Sequence, residues 1–516
     1  MIDRILTVGG ITLLSRVTGF LRDIMLAAVL GAGPVADTFF VALRLPNHFR
    51  AIFAEGAFNA AFIPAYARVR VASGSEAVRL FGDRIFTLLL ASQIVLLGAA
   101  LLFTPGVIDL LAPGFSKEPA KFALAVELTR ITFPYLLLVS LVTLYGGILN
   151  ALDRFAAAAA APILLNLSMM MTLAVAAFFP TAGHAAAWGV LLAGFLEFLL
   201  VGGDAARNGV LPRFAWPRID QEVMLFLKRF WPATIGSAGT QIALFADTII
   251  ASFLATGALS ALYYADRLNQ LPIGVIGIAA GTVLLPEMAK RITAGDEAGA
   301  SHSQNRAIEL TLLLSVPCLV AFLIVPDLIM RGLFGRGAFT DADAHAAALT
   351  LMAYAIGLLP FVLMRSVTAA FLSRGDTTTP VKALFAAVAV NVALKILLMD
   401  RYAQVGLAFA TSVGAWINLL LLAWFSARRN FLHIDRRLQR SSVKFAVAGA
   451  ILGAALLLGA GPVGALFSGW PSLRNEMTLL ALAVLGAIIY GIAIVVLFRR
   501  EWQDLMSGRQ GSEPSA

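Results

Sequence analysis

Long apolar runs separated by short polar breaks recur along the whole chain. A helix needs about 20 mostly apolar residues to cross the hydrocarbon of a bilayer. Candidate spans fall at 5–30, 36–66, 82–104, 122–150, 156–179, 185–204, 232–255, 260–288, 306–329, 346–372, 379–399, 404–426, 443–466 and 477–498. These fourteen spans, with such short gaps, predict an all-α polytopic membrane protein in a compact helical bundle. The breaks also predict orientation. One set is basic: Arg68, Arg70, Arg79 and Arg84; Arg154; Arg207, Arg213 and Arg218; Lys290 and Arg291; Arg374; and Arg428, Arg429, Arg436, Arg437 and Arg440. In the alternate set, "GAGPVAD" (31–37), "PTAGH" (180–184) and "ATGALS" (255–260) hold no Lys or Arg, although Lys117, Lys121, Arg331, Arg336, Arg401 and Arg474 are exceptions. Cytoplasmic loops collect positive charge, so both termini are expected in the cytoplasm. No A-x-A site follows the first run, which is long enough to span, and it reads as a helix rather than a cleavable signal.

Composition excludes most other classes. The chain has 516 residues, 59% hydrophobic and 13% charged, with a mean hydropathy of +0.85; a soluble domain carries about 25% charged residues. The net charge of +9 follows largely from the basic loops, and no nucleic-acid partner is expected from it. Cys318 is the single cysteine and the five histidines are scattered. That leaves no intramolecular disulfide, no CxxC pair and no HExxH motif, so neither a metal nor a cofactor is expected. No Walker A pattern is present, which argues against ATP-driven transport by this chain.

The two halves resemble each other. "RDIMLAAVLGAG" (22–33) aligns with "ADTIIASFLATG" (246–257), setting Asp23 over Asp247 and Gly33 over Gly257 at an offset of 224. Arg44 matches Arg267 (223), Pro64 matches Pro286 (222), Pro134 matches Pro360 (226) and Asn166 matches Asn391 (225). An even number of spans per copy keeps both copies in one orientation. The expected organisation is two pseudo-symmetric six-helix lobes, 1–215 and 216–430, then two further helices within 431–500 and a polar cytoplasmic tail at 501–516. Internal repeats of this kind suggest a transporter whose lobes rock around a central site.

Charges interrupt the apolar pattern. Arg16, Arg22 and Asp23 lie in the first span, Arg44 and Arg50 in the second, Asp266 and Arg267 in the eighth, and Arg365 and Lys395 in the tenth and eleventh. An arginine at the centre of a membrane helix costs about 2.5–3.5 kcal/mol on insertion scales, so such residues face a cavity or a partner. In "RLPNHFRAIFAEGAF" (44–58), Arg44 and Arg50 can both face inward only if Pro46-Asn47 bends the helix. Adjacent Arg22–Asp23 and Asp266–Arg267 could be structural ion pairs, Lys395 could snorkel, and Glu55 could pair with Arg50. Pairing alone leaves four arginines of the first lobe against few acids, with Arg267 as a fifth. A cationic cavity suits an anionic ligand, and arginine forks bind phosphate oxygens bidentately.

"SRVTGFLRD" (15–23), "ADTFFVALRLPNHFRAIFAEGAFNAAFIP" (36–64) and "YYADRLNQLPIGVIGIAAGTVLLPEMAK" (263–290) resemble the MurJ/MviN lipid II flippases of the MOP transporter superfamily. The resemblance covers essentially the whole chain. It implies alternating-access movement of lipid II, the undecaprenyl-pyrophosphate-linked peptidoglycan precursor, from the cytoplasmic to the periplasmic leaflet of the bacterial inner membrane. It also implies roles in peptidoglycan biosynthesis and cell shape. Essential cavity arginines then fall on Arg16, Arg22, Arg50 and Arg267, an important acid on Asp37, and further substrate-site charges on Asp266 and Arg44. Glu55 and Asp23 would gate or support the site, and the last two helices would hold the polyprenyl tail. The energy source is open between the membrane potential and a coupling cation, with Asp247 and Asp376 as candidate ligands. Membrane lipids are expected around the bundle, and the peptidoglycan synthesis machinery is a candidate partner. Rival readings are a flippase for another lipid-linked oligosaccharide, a multidrug antiporter of the same superfamily, a membrane glycosyltransferase, and a lipid-binding scaffold without transport. Dominance of arginines over acids disfavours a cation exporter, and the short loops disfavour the glycosyltransferase.

Overall fold

The computed structural model describes residues 2–50, 57–470 and 473–499. Glu55 and the tail 501–516 lie outside the described residues. Every regular element among the described residues is helical. Nine helical stretches among them are long and apolar enough to cross a membrane, which makes the chain an integral membrane protein.

Contacts group the chain into two compact units. The first comprises Met1–Ser260 with Arg336–Thr340, and the second comprises Ala261–Gly335 with Asp341–Ala516. The helices of the first are α1 (Ile2–Leu30), α2 (Pro34–Phe49), α3 (Ala57–Leu102), α4 (Thr104–Leu111), α5 (Pro119–Thr132), α6 (Pro134–Ala151), α7 (Ala156–Ala174), α8 (Ala182–Arg207) and α9 (Gln221–Ser252). Then follow α10 (Ala258–Pro272), α11 (Ile278–Thr293), α12 (Glu297–Ile324), α13 (Pro326–Phe334), α14 (Asp341–Ala355), α15 (Leu358–Leu372), α16 (Thr378–Arg428), α17 (Arg436–Leu466) and α18 (Arg474–Leu497).

Several apolar runs that read as one span are broken helices, and the breaks have local causes. Pro134 opens α6 directly after α5, and Pro326 opens α13 directly after α12. Proline lacks the N–H that the preceding helix would need, but it is accommodated in a first turn. Two helices are kinked pairs of arms. α3 turns at Gly74 (φ 81°, ψ −174°) and α16 at Ala403 (φ 44°, ψ −130°). The Gly74 conformation is open essentially to glycine alone. A π-helix occupies Ile273–Gly277. Gly33 directly precedes α2 as Gly257, 224 residues further on, directly precedes α10.

The first unit is held by an aromatic core on α3 and α9. Phe58 stacks on Phe62 (5.1 Å) and Phe62 on Phe81 (5.9 Å), while Phe226 closes on all three edge-on. Phe81 sits beyond the Gly74 kink, so the stack ties the two arms of α3 together. In the second unit, Phe445, Ala448, Leu452 and Leu456 of α17 pack with Leu482, Tyr490 and Ala493 of α18 and Val316 of α12. The Tyr490 hydroxyl donates to the Leu313 carbonyl at 2.9 Å. The last two helices are thus docked on α12 by apolar contact, by the Tyr490 hydrogen bond and, at the start of α17, by ion pairs of Arg437 with Glu309 (3.6 Å) and of Asp435 with Arg306 (2.5 Å).

Candidate functional site

α1, α2, α9 and α10 hold most of the candidate residues, and none of the four is among the nine apolar stretches. α2 and α10, with 16 and 15 residues, are too short for that class, and the charges on all four helices need protein or water around them.

In the first unit, Arg22 and Asp23 are buried in a network between α1 and α7. Nε and Nη2 of Arg22 donate to Asp23 Oδ1 at 3.1 and 2.7 Å, and Nη1 donates to Asn166 Oδ1 at 3.0 Å. Asn166 Nδ2 in turn donates to the Ser15 carbonyl and the Thr18 hydroxyl, each at 3.1 Å. Satisfying the guanidinium in this way offsets the cost of burying it. Six residues before Arg22, Arg16 is half-buried. Among the described residues it makes no hydrogen bond and no ion pair. Arg44 donates to the Thr248 hydroxyl of α9 at 3.0 Å and meets no carboxylate among the described residues. Asp247, beside Thr248, and Arg50, at the C-terminal end of α2, are half-buried.

Asp37, expected with the ligand-contacting residues, is enclosed instead. It is 1% exposed. Its Oδ2 accepts from Lys121 Nζ (3.2 Å) and Gly257 N–H (2.8 Å), and its Oδ1 from the N–H (3.0 Å) and hydroxyl (2.7 Å) of Ser260. Lys121 also donates to the Thr256 hydroxyl at 3.1 Å and lies over the Phe115 ring at 4.5 Å. An aspartate from α2 therefore caps the chain where α10 begins, with a buried ammonium completing the charge balance. Close by, Ala338 N–H donates to the Ala28 carbonyl at 2.8 Å, seating residues 336–340 on the end of α1.

In the second unit, Asp266 and Arg267 are half-buried on α10. Asp266 accepts from Gln270 at 3.4 Å, and the Arg267 guanidinium lies 4.9 Å from the centre of the Tyr263 ring. Arg365 is exposed on α15, and Lys395 is buried in α16. Asp376, a candidate cation ligand, serves the α15–α16 turn. Its carboxylate accepts from the N–H of Thr378 and Thr379 (both 3.0 Å) and the Thr379 hydroxyl (2.7 Å), and it pairs with Arg429. Those backbone and hydroxyl hydrogen bonds, with Arg429 beside them, hold its pKa down to about 2. No group of three or more His, Cys, Asp or Glu side chains suited to a metal occurs among the described residues.

Sequence reasoning missed the parts that complete these networks. Lys121 stood out only, with Lys117, as an exception among loops poor in positive charge, and Asn166 only as a repeat match. Glu197, within the sixth predicted span, passed unremarked. It is 2% exposed in α8, with the Tyr135 hydroxyl 3.5 Å from its carboxylate. An acid inside an apolar run was the signal that could have found it.

Known proteins match over nearly the whole chain. The family model described as lipid II flippase MurJ matches residues 26–468. A probable lipid II flippase MurJ of Rhizobium meliloti (strain 1021) is 39% identical over 503 residues, spanning 95% of this chain and 94% of that protein. A solved lipid II flippase MurJ in an inward closed conformation superimposes with a TM-score of 0.80 at 23% identity, covering 96% of this chain and 99% of that one. An inward-facing multidrug resistance transporter of the MATE family matches more distantly, with a TM-score of 0.68 at 14% identity over 82% of this chain and 97% of that one. At these identities the two structural likenesses concern the fold.

Proposed function

The chain belongs to the lipid II flippase MurJ family, and on that premise we propose that it moves lipid II from the cytoplasmic to the periplasmic leaflet of the bacterial inner membrane. The observation that carries the site is Arg16. A guanidinium half-buried in a membrane helix with no carboxylate partner among the described residues is costly unless an anion completes it. Arg44, which meets only a neutral hydroxyl among the described residues, supports the same reading. The pyrophosphate of the substrate supplies such an anion, and arginine forks match its oxygens.

In this proposal Arg16, Arg44, Arg50 and Arg267 contact the pyrophosphate and adjoining sugar, with Asp266 orienting Arg267. Arg22, already joined to Asp23 and Asn166, retains unused N–H groups for the substrate and otherwise keeps α1 registered on α7. Fourteen spans form two six-helix lobes, 1–215 and 216–430, which alternate between inward and outward access. The sequence similarity of the two halves at offsets of 222–226 supports such a duplication. The helices within 431–500 carry the polyprenyl tail, and both termini are cytoplasmic. Membrane potential acting on the cavity arginines, worth about 2.3 kcal/mol per charge per 100 mV, or a coupling cation supplies the energy. Asp37 acts as a latch rather than a substrate contact. Abundance of arginine over acid favours this reading over a multidrug antiporter.

The test is complementation. The resident lipid II flippase of a bacterium is shut off, this chain is expressed, and surface exposure of labelled lipid II is measured. Wild type is expected to restore exposure, and Arg16→Ala and Arg267→Ala to abolish it at unchanged membrane abundance. Full activity of both variants would remove the charge site. Failure of a well-expressed wild type would transfer the proposal to another lipid-linked glycan.

A further inference from the structure

A polar cleft of about 470 Å³ lies on the first unit, away from the residues assigned above. It is lined by the two arms of α3 at the Gly74 kink, the end of α6 and residues 209–212; Tyr66, Arg70, Glu76, Arg79 and Asp83 supply its polar groups. Arg70 and Arg79 form no ion pair among the described residues. Of the acids, Asp83 is buried and already accepts from Arg213 N–H at 2.7 Å, leaving Glu76 exposed at the rim. Nearby Arg68 and Arg84 are occupied by Glu222 and Asp220.

The wall of this cleft continues into an unusual connector. Residues 210–220 join α8 to α9 without helix. They are stapled to α3 at alternate positions, by Arg213 N–H on Asp83 and by Ala215 N–H on the Thr87 hydroxyl (3.0 Å). Phe214 and Trp216 project outward, 72% and 82% exposed, flanked by exposed Ile219 and by Arg213 and Arg218, which also lack ion pairs among the described residues. Val71, beside Arg70, is 88% exposed. Large apolar and aromatic side chains interleaved with unpaired arginines, between two apolar helix arms, are the signature of a membrane–water interface.

We propose that this cleft and connector form a docking site for an anionic phospholipid. Arg70 and Arg79 receive the phosphate of the headgroup, Tyr66 and Glu76 bound the polar end of the cleft, and Phe214 and Trp216 enter the acyl region beside it. Occupancy braces the Gly74 kink and holds the α8–α9 connector on the bilayer surface. Activity therefore rises with the anionic fraction of the membrane.

The test uses delipidated full-length protein in detergent, titrated with phosphatidylglycerol, with phosphatidylcholine of the same chains, and with inorganic phosphate. Lipid retention is read by native mass spectrometry. Phosphatidylglycerol is expected to be retained in preference to phosphatidylcholine and not displaced by inorganic phosphate. Each arginine near an anionic surface contributes about a five-fold preference, so R70Q/R79Q is expected to weaken retention roughly thirty-fold, and R70K/R79K to preserve most of it. Trp216→Ala, which leaves the cleft charges in place, is expected to abolish the quenching that brominated acyl chains cause at this position in vesicles. Unchanged retention in R70Q/R79Q, equal retention of phosphatidylcholine, or quenching indifferent to Trp216 would each overturn the proposal. Displacement by inorganic phosphate would make it a free-anion site, and preference for a lipid-linked pyrophosphate over phosphatidylglycerol would make it a substrate portal.

Discussion

Replacing Asp37 with Asn separates a latch from a substrate contact. The aspartate serves two donors on each oxygen: Lys121 and Gly257 on Oδ2, and the Ser260 N–H and hydroxyl on Oδ1. An asparagine has one oxygen, so one of those pairs must face an NH₂ group. The cheaper orientation keeps oxygen toward Lys121 and Gly257 and sacrifices Ser260, whose hydroxyl can rotate away while its N–H cannot. A buried N–H without an acceptor costs about 1–3 kcal/mol. The neutral amide also leaves the Lys121 ammonium without its counter-charge, a loss of about 3–5 kcal/mol when nothing else compensates. The Thr256 hydroxyl at 3.1 Å and the Phe115 ring at 4.5 Å retain part of that. A net local destabilisation of about 3 kcal/mol follows, which is more than a hundredfold in an opening equilibrium. Hydrogen exchange of the peptide covering 256–261 reads it directly. Asp37→Asn should accelerate exchange there by about that factor, while peptides within α6 and α8 stay unchanged. Adding Lys121→Met removes the stranded charge and should recover about 2 kcal/mol. Exchange within three-fold of wild type at 256–261 would refute the latch.

Further outcomes follow from the same geometry. Asn166→Leu strands Arg22 Nη1 and frees Ser15 and Thr18; a loss of about 2–4 kcal/mol is expected in unfolding measurements in detergent, and Arg22→Met on top of it should cost more again, because it takes the guanidinium from the buried Asp23 carboxylate. Gly114→Ala drives a methyl group into the Ser252 carbonyl of α9 and should cut folded yield on size exclusion sharply, whereas Gly106→Ala, with open space around it, should not. Asp376→Ala removes the cap of α16 and should cost about 1 kcal/mol at neutral pH, since the exposed pair with Arg429 adds little. Because the folded pKa lies near 2, below the ordinary 3.8, that contribution is fully present above about pH 4 and is lost as the pH falls through 2. Wild type and variant should therefore converge in acid and differ by a constant amount from pH 5 to 8.

Membrane character, helical class and family were legible along the chain because each is a local property. An apolar run of bilayer length, a proline that ends a helix and a motif such as "RLPNHFRAIFAEGAF" are decided within a few tens of residues. The similarity of the two halves, at offsets of 222–226, is likewise a property of the sequence and requires no contact. Reading runs by length alone merged broken helices: 122–150 is α5 plus α6, and 306–329 falls on α12 and α13. What each charge does was not legible, because a buried charge is completed by whatever packing brings to it. Arg22 is matched by Asn166, 144 residues away, and Asp37 by Lys121 and by backbone at 257–260, more than 200 residues away. Asp376 is the exception, an acid two residues before a Thr-rich helix start, where the cap lies in the local sequence. Arg16 and Arg22 differ in the one-dimensional pattern only by the Asp23 beside the latter. Tertiary structure alone adds the Asn166 amide to one of them and leaves the other without an ion pair among the described residues, because hydrogen-bond geometry depends on which helix lies alongside, and hydropathy does not encode that.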